Sequence, residues 1–509
     1  MSVGLTGRNV IANLFGGIWT ALMSLLFIPL YLRFLGPEAL GFSGVLAALQ
    51  AVFGLLDFGL GATFNREMAR LSASGSDGTQ ERELTRTAEL MYWALGAVIA
   101  AVVALFAPVI VHRWVHVQHL PATEVMHSVM LMGVVIACQF PFSIYQAGLL
   151  GRQRQVLLNV ITIAVTTLRT AGAVLLLWRV AASIELFFAW QAFMMVVQVV
   201  ATRVALWRDL PRTEAKIHIR PALIRGLWAF SAALGGNAIL GVLLTQTDKM
   251  LLSGMLPLSQ FGYYTLAGSV AAVLWYVINP VGTAFYPRFT ALLHSGDEGA
   301  AVGTYHRACQ MMAMLLLPIA ATVAAFSYQI IFVWTRSSAL AQATAVTAAL
   351  LIVGTTLNGL AHLPVLLGVA AGFPLVITIT NLIAVCVIVP AIFFATRRFG
   401  IQGAAAVWVL QNSFYVFIAV PLAHSRVLRG EKKRWYVDDF VKPAVMAAAC
   451  AAIARLLIPE NMSTAGTILY VGASGLLIAF ATAMVLPHVR SLSKTLIAHR
   501  ELHSITPPQ

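Results

Sequence analysis

Apolar residues run in stretches of about twenty or more along almost the whole chain, interrupted by short charged segments. A helical stretch of that length spans the roughly 30 Å hydrocarbon layer of a bilayer. The pattern predicts membrane spans over 10–32, 40–60, 88–111, 126–148, 156–178, 184–206, 226–247, 258–285, 308–333, 341–366, 373–395, 402–424, 441–458 and 466–487. The uncharged stretch from Ser337 to Thr396 must hold two of them, turning near Gly368 to Gly372. The fold class is therefore an all-α polytopic membrane protein of about 14 transmembrane helices. The first run leads straight into a second with no small-residue cleavage pattern before Arg33, so it reads as a span and not as a signal peptide.

One stretch organises the rest. TQTDKMLLSG, Thr245 to Gly254, sets Asp248 beside Lys249 at the junction of two uncharged runs, Gly226 to Thr247 and Met250 to Pro287. The words after it, MLPLSQFGYY, have a counterpart in FLGPEALGF at Phe34 to Phe42. Gly61 (in GATFNRE) follows Gly41 by twenty residues, and Gly282 (in GTAFYPR) follows Gly262 by the same interval. Arg66 and Arg288 then close the two runs. We read an internal repeat whose second copy begins near Leu223. The domain expectation is a six-helix bundle over 1–220, a second over 221–435, and accessory helices 13 and 14 with a cytoplasmic tail over 436–509. Two copies with an even number of spans enter the membrane from the same side, so substrate is expected between the bundles.

Composition narrows the class. Of 509 residues, 60% are hydrophobic and only 10% charged, far below the roughly 25% charge of soluble domains. No polar stretch reaches domain length. The four cysteines (Cys138, Cys309, Cys386 and Cys450) lie in or beside apolar runs without metal-ligand spacing, which argues against structural disulfides. The net charge of +14 invites a nucleic-acid reading, but its distribution argues against one. With the N-terminus placed in the cytoplasm, 24 of the 33 lysines and arginines fall on the cytoplasmic side. Eight fall outside: Arg33, Arg113, Arg179, Lys249, Arg336, Arg397, Arg398 and Arg455. Arg169 stays within a span. This is the positive-inside asymmetry, and it places both termini in the cytoplasm.

No catalytic signature stands out: HExxH, GxSxG and a phosphate-binding Walker loop are absent. His112, His116 and His119 have metal-like spacing, but they sit in a short outer loop without a close carboxylate or cysteine. Interfacial polar residues are the plainer reading, and no metal or cofactor is expected. Polar residues inside spans carry more information because hydrocarbon penalises them. Asn13, Asp57, Gln139, Gln146, Asn159, Asn237, Thr245, Gln246, Asn279, Asn358, His362, Asn381 and Asn412 are such positions. Each lone amide has an ordinary alternative in a helix–helix hydrogen bond. Arg169 differs, since a mid-span guanidinium needs water, an acid or an anionic ligand. Acids at mid-span are nearly missing, which suits an anion with a large polar head better than a cation.

The chain resembles the bacterial polysaccharide biosynthesis flippases, the O-antigen and exopolysaccharide translocases of the multidrug/oligosaccharidyl-lipid/polysaccharide exporter superfamily. The stretches that carry the resemblance are Asn13 to Gly41, LLDFGLGATFNREMAR at Leu55 to Arg70, YQAGLLGRQRQ at Tyr145 to Gln155, and TDKMLLSG with FGYY at Thr247 to Tyr264. It implies twelve core helices around a cavity, two accessory helices, and alternating-access transport of a polyprenyl-pyrophosphate-linked glycan across the inner membrane. By the same resemblance, Arg66, Arg169, Lys249 and Arg288, with Asn237 and Gln246, are candidates for substrate binding. Asp57, Asp248 and Asn279 are candidates for gating or structural roles. Implied partners are membrane lipids, a coupling H+ or Na+, and a glycan polymerase of the same pathway, with no nucleic acid. Competing readings are a lipid II-like peptidoglycan-precursor flippase, a multidrug or cation antiporter of the superfamily, and a membrane-bound glycan polymerase or ligase. The first is disfavoured by the lack of several mid-span arginines, the second by the lack of a buried acid, and the third by short outer loops.

Overall fold

A computed structural model describes residues 5–74, 78–118, 120–219 and 239–490. Among them the regular elements are all helical: α1 (Leu5–Gly54), α2 (Leu60–Ala73), α3 (Thr79–Val109), α4 (Ala122–Gly151), α5 (Gln155–Arg179) and α6 (Ile184–Asp209) come first. Then follow α7 (239–255), α8 (Leu258–Ala271), α9 (Trp275–Ser295), α10 (Glu298–Thr335), α11 (Ser338–Ala370) and α12 (Pro374–Phe414). The chain ends in α13 (Val420–Arg426), the single turn α14 (Lys432–Arg434), α15 (Lys442–Leu456) and α16 (Thr464–Val485). Ten helical stretches among the described residues are long and apolar enough to cross a membrane. The protein is thus an all-α, multi-pass membrane protein.

Two of these stretches are far longer than one crossing needs. At 1.5 Å per residue, the 50 residues of α1 would reach about 75 Å. Gly36 breaks the helix with φ 76° and ψ −179°, a conformation open to glycine. Pro37 reinforces the break by disfavouring a helical residue before it. In α12 the corresponding break is Gly400, at φ 58°. Outward-facing side chains on the long helices are large and apolar, including Leu105, Phe106, Leu175, Trp178, Leu476 and Phe480. In water such a surface would be costly; against lipid tails it is solvated. At the end of α5 the Arg179 guanidinium stacks over Trp178, 4.1 Å from the ring centroid, an aromatic–cation pairing suited to the membrane interface.

The chain separates into two compact units, Met1–Thr265 and Leu266–Gln509. In the first, α4 packs against α3 and α6, and α1 packs against α5. In the second, α10 packs against α9, α11, α15 and α16. Ala313, Ala447 and Ala451 form one continuous buried cluster with Leu317, Leu360 and Ile478, and the alanines let these helices approach closely.

Several boundaries differ from the sequence expectation, α10 beginning at Glu298 and not near 308 among them, and two of them bear on the site. Helix α3 begins at Thr79, nine residues before the predicted span, and its first turns bury Glu81, Glu83 and Glu89. Arginine partners make the burial of Glu81 and Glu89 tolerable, and Glu83 accepts from His218 N at 3.4 Å. Helix α7 continues through the predicted junction at Asp248–Lys249 to residue 255, because the apolar run MLLSGM extends it and Pro257 then ends it. The acid and base therefore sit inside a helix and not at a turn.

Candidate functional site

The first unit assembles the centre of the sequence pattern. Pro257 forces a tight turn between α7 and α8, and the segment after α3 closes over it. Leu258 N donates to His116 O at 3.0 Å, and Trp114 Nε1 donates to Ser253 Oγ at 3.1 Å. A Cβ on Gly254 would lie 2.9 Å from the Trp114 ring, so only glycine fits beneath the indole. Lys249 folds back on its own helix and donates Nζ to Thr245 O at 3.1 Å and to Gln246 Oε1 at 3.0 Å. An ammonium has three donors, so this geometry uses two and leaves one for a ligand. Asp248 accepts from the Tyr264 hydroxyl at Oδ2, 2.6 Å, which ties α7 to α8. Its Oδ1 is buried without a hydrogen-bond partner among the described residues.

Asp57 stands in a short turn between α1 and α2, followed by the left-handed pair Phe58 and Gly59. Its Oδ2 accepts from Gly61 N at 3.2 Å and its Oδ1 from the Tyr92 hydroxyl at 2.6 Å. The carboxylate thus caps the start of α2 and holds it to α3. Arg66 is exposed on α2. Its field contributes to holding the Glu67 carboxyl below the usual range, after the larger effect of the hydrogen bond from Arg70.

Arg169 is half-buried midway along α5. Its backbone carbonyl accepts from Trp190 Nε1 at 3.0 Å, and the neighbouring Thr170 carbonyl accepts from Tyr31 Oη at 3.2 Å. The Tyr31 phenol is the neighbour of the guanidinium, and no carboxylate among the described residues pairs with it. Asn279 and Arg288 lie in the second unit, on α9, and both are exposed. The structure therefore brings Gln246, Asp248 and Lys249 together on α7, and it leaves Asp57, Arg66 and Arg169 on separate elements. Asn237 and His119 lie outside the described residues.

Three polar clusters escaped the sequence reading because their members are distant in the chain. Arg152 donates to Glu81 Oε2 at 2.5 Å and to Asp209 Oδ2 at 2.6 Å, while Arg154 donates to Asp209 Oδ1 at 2.5 Å. Glu89 accepts from Tyr145 at 2.6 Å, from Arg86 at 3.0 Å and from Arg203. In the second unit, His306 Nδ1 meets Asp439 and its Nε2 meets Glu431 at 2.9 Å. Gln310 donates to Asp439 Oδ1 at 2.8 Å. Both nitrogens of His306 therefore face acidic side chains. Each cluster pairs its charges and so joins helices; among the described residues no group of His, Cys, Asp and Glu converges as a metal site.

The second unit also carries an uncharged groove of about 470 Å³ between α10, α11 and α15. Ala320, Ala324, Val353, Leu357, Ala447 and Ala451 line it, with Arg455 at its rim. Alanines on facing helices leave a channel where larger residues would interdigitate.

Comparison with known proteins agrees with this architecture. Residues 6–293, more than half of the chain, match the model of the family described as polysaccharide biosynthesis protein. A Shigella flexneri protein proposed to be an O-antigen transporter is 20% identical over 407 residues, covering 79% of this chain and 94% of its own length. Among solved structures, a lipid II flippase, MurJ, in an inward closed conformation shares the fold with a TM-score of 0.67 at 13% identity, covering 95% of this chain and 99% of its own. An inward-facing multidrug resistance transporter of the MATE family has a TM-score of 0.65 at 14% identity, covering 80% and 94%. The chain belongs to the polysaccharide biosynthesis protein family, and it has the fold seen in the multidrug/oligosaccharidyl-lipid/polysaccharide exporter superfamily.

Proposed function

We propose that this protein moves a polyprenyl-pyrophosphate-linked oligosaccharide from the cytoplasmic to the outer leaflet of the bacterial inner membrane by alternating access, for surface polysaccharide biosynthesis. Family membership supports the glycan. One observation carries the lipid-linked form: the alanine-lined groove on α10, α11 and α15, uncharged along its length with a single arginine at its rim. A polyprenyl chain is flexible and apolar, and such a channel accepts it without competing for specific side-chain contacts. A small cationic drug has no use for it.

The same reading places fourteen crossings in two six-helix bundles, 1–220 and 221–435, with an accessory pair in 436–509 and both termini in the cytoplasm. The breaks at Gly36 and Gly400 support the count, since each divides a helix too long for one crossing. For the anionic head we assign Arg169 and Lys249 with Gln246, each placed with donor capacity not consumed by a carboxylate. Arg66 is assigned a supporting role on α2.

Filling the groove tests the reading. Ala324→Phe combined with Ala448→Phe, at unchanged membrane abundance, is expected to abolish surface glycan and to leave lipid-linked oligosaccharide in the inner leaflet. Undiminished surface glycan in the double variant would refute it. Loss of resistance to cationic dyes with intact glycan would favour the multidrug reading instead.

A further inference from the structure

A second cavity in the same unit has the opposite chemistry to the groove. It is a cleft of about 330 Å³ formed by α9, α10 and the segment after α16. Phe285, Met311, Met314, Leu486 and Val489 make its apolar walls, and Arg288 and Arg307 stand at its polar side with His488. Both arginines are exposed, and among the described residues neither forms an ion pair. Arg307 donates Nε to Gly303 O at 3.1 Å, one turn back on α10. That bond orients the guanidinium while leaving its two terminal nitrogens as donors.

No carboxylate lines the cleft. Gln310 in the wall is already committed: it donates to Asp439 and accepts from His488 N at 2.9 Å. The second of these bonds pins the segment after α16 against α10, and Arg490 Nε, donating to Met484 O at 2.6 Å, holds it further. The cleft is therefore a fixed feature with two guanidinium forks above an apolar floor. A guanidinium holds a phosphate through parallel hydrogen bonds, and basic pockets between membrane helices recruit anionic headgroups. Flexible methionines adapt to the first methylenes of an acyl chain.

We infer that this cleft binds the phosphate headgroup of an anionic phospholipid from the surrounding leaflet, with Arg288 and Arg307 as the phosphate ligands. It goes beyond the transport reading and does not depend on it. The uncharged groove lies elsewhere on the unit. Occupancy would brace α9 and α10 against the chain after α16.

The experiment uses the full-length protein in neutral detergent, followed by thermal melting with phosphatidylglycerol, phosphatidylcholine, inorganic pyrophosphate or a polyprenyl phosphate added in turn. Phosphatidylglycerol is expected to raise Tm by several degrees and phosphatidylcholine to leave it unchanged. Arg288→Gln with Arg307→Gln should remove that rise while melting normally in phosphatidylcholine. Equal stabilisation of the double variant would overturn the assignment. So would full protection by pyrophosphate alone, which would make the ligand a free phosphate, or protection by polyprenyl phosphate at tenfold lower concentration, which would make the cleft a substrate site. If the double variant does not fold, Arg307→Lys decides: reduced but measurable phosphatidylglycerol protection supports the site, and undiminished protection refutes it.

Discussion

Gly41 and Gly262, the two glycines matched by the internal repeat, lie against one another. A Cβ on Gly41 would sit 3.1 Å from Gly262 N, and a Cβ on Gly262 would sit 3.2 Å from Gly41 N. The same two atoms would come within 2.4 Å of Leu258 O and 2.0 Å of Pro37 O, respectively. Backbone meets backbone here, so no side chain can move aside. Gly262→Ala is expected to destabilise the first unit by about 1–3 kcal/mol or more, the scale of overpacking a tight contact, and Gly41→Ala somewhat less. Detergent-solubilised melting temperatures check the order; wild-type melting for Gly262→Ala would contradict the crossing.

Arg169 carries the clearest transport prediction. Its guanidinium has Tyr31 as neighbour and no paired carboxylate among the described residues. Arg169→Lys is expected to retain partial glycan export and Arg169→Ala to lose most of it, because lysine supplies the charge without the planar fork. Removing the charge relieves desolvation, so membrane abundance should hold. Export at equal abundance is the readout. Full export by Arg169→Ala would remove the binding role, and loss of the protein from the membrane would make the residue structural.

Asp248 depends on one hydroxyl. Tyr264→Phe deletes its 2.6 Å donor and leaves both carboxylate oxygens of Asp248 without a hydrogen bond among the described residues. The expected cost is about 1–3 kcal/mol. Asp248→Asn in the Tyr264→Phe background should recover part of it, since a neutral amide is cheaper to bury unpaired. A double-variant melt equal to that of Tyr264→Phe alone would argue that the carboxylate reaches water.

Asp439 gives a pH dependence with a definite sign. Burial raises its carboxyl above the ordinary value, with the hydrogen bond from His306 opposing. The folded state then keeps the proton at pH values where the unfolded chain has released it. The stability contribution is full below the unfolded value and is lost as pH rises through the raised one. Melting temperature across about pH 4 to 7 should fall along this limb, and Asp439→Asn should flatten the fall. Asp439→Ala should cost about 1–3 kcal/mol by leaving the buried His306 Nδ1 and Gln310 Nε2 without their partner. An unchanged slope in Asp439→Asn would assign the pH dependence to another group.

Orientation rests on the charge asymmetry. A single cysteine at Ser183, the N-cap of α6, should react with a membrane-impermeant reagent applied to intact cells. The companion position, Ser76, which the charge asymmetry assigns to the cytoplasm, lies outside the described residues and should stay protected. The opposite labelling pattern would invert the topology. The cysteine variants should be made in a background lacking the exposed Cys386.

The membrane fold was legible in the sequence because hydrophobic length is a one-dimensional property: twenty apolar residues bound a crossing wherever their neighbours lie. The helices Ile184–Asp209, Ser338–Ala370 and Thr464–Val485 follow the predicted spans closely for that reason. The turn near Gly372 and the matched glycines Gly41 and Gly262 were likewise local signals. The family, too, was written in the order of its motifs. Pairing was not legible. Glu89 with Arg203, Arg152 with Glu81 and Asp209, and His306 with Asp439 join residues far apart in the chain, and a charge read alone looks solvated until its partner arrives. The glycines show the same division. Sequence spacing marked them as equivalent, but only the crossing of two helices at backbone contact made them touch, because close approach is a property of two surfaces and not of either strand of sequence alone.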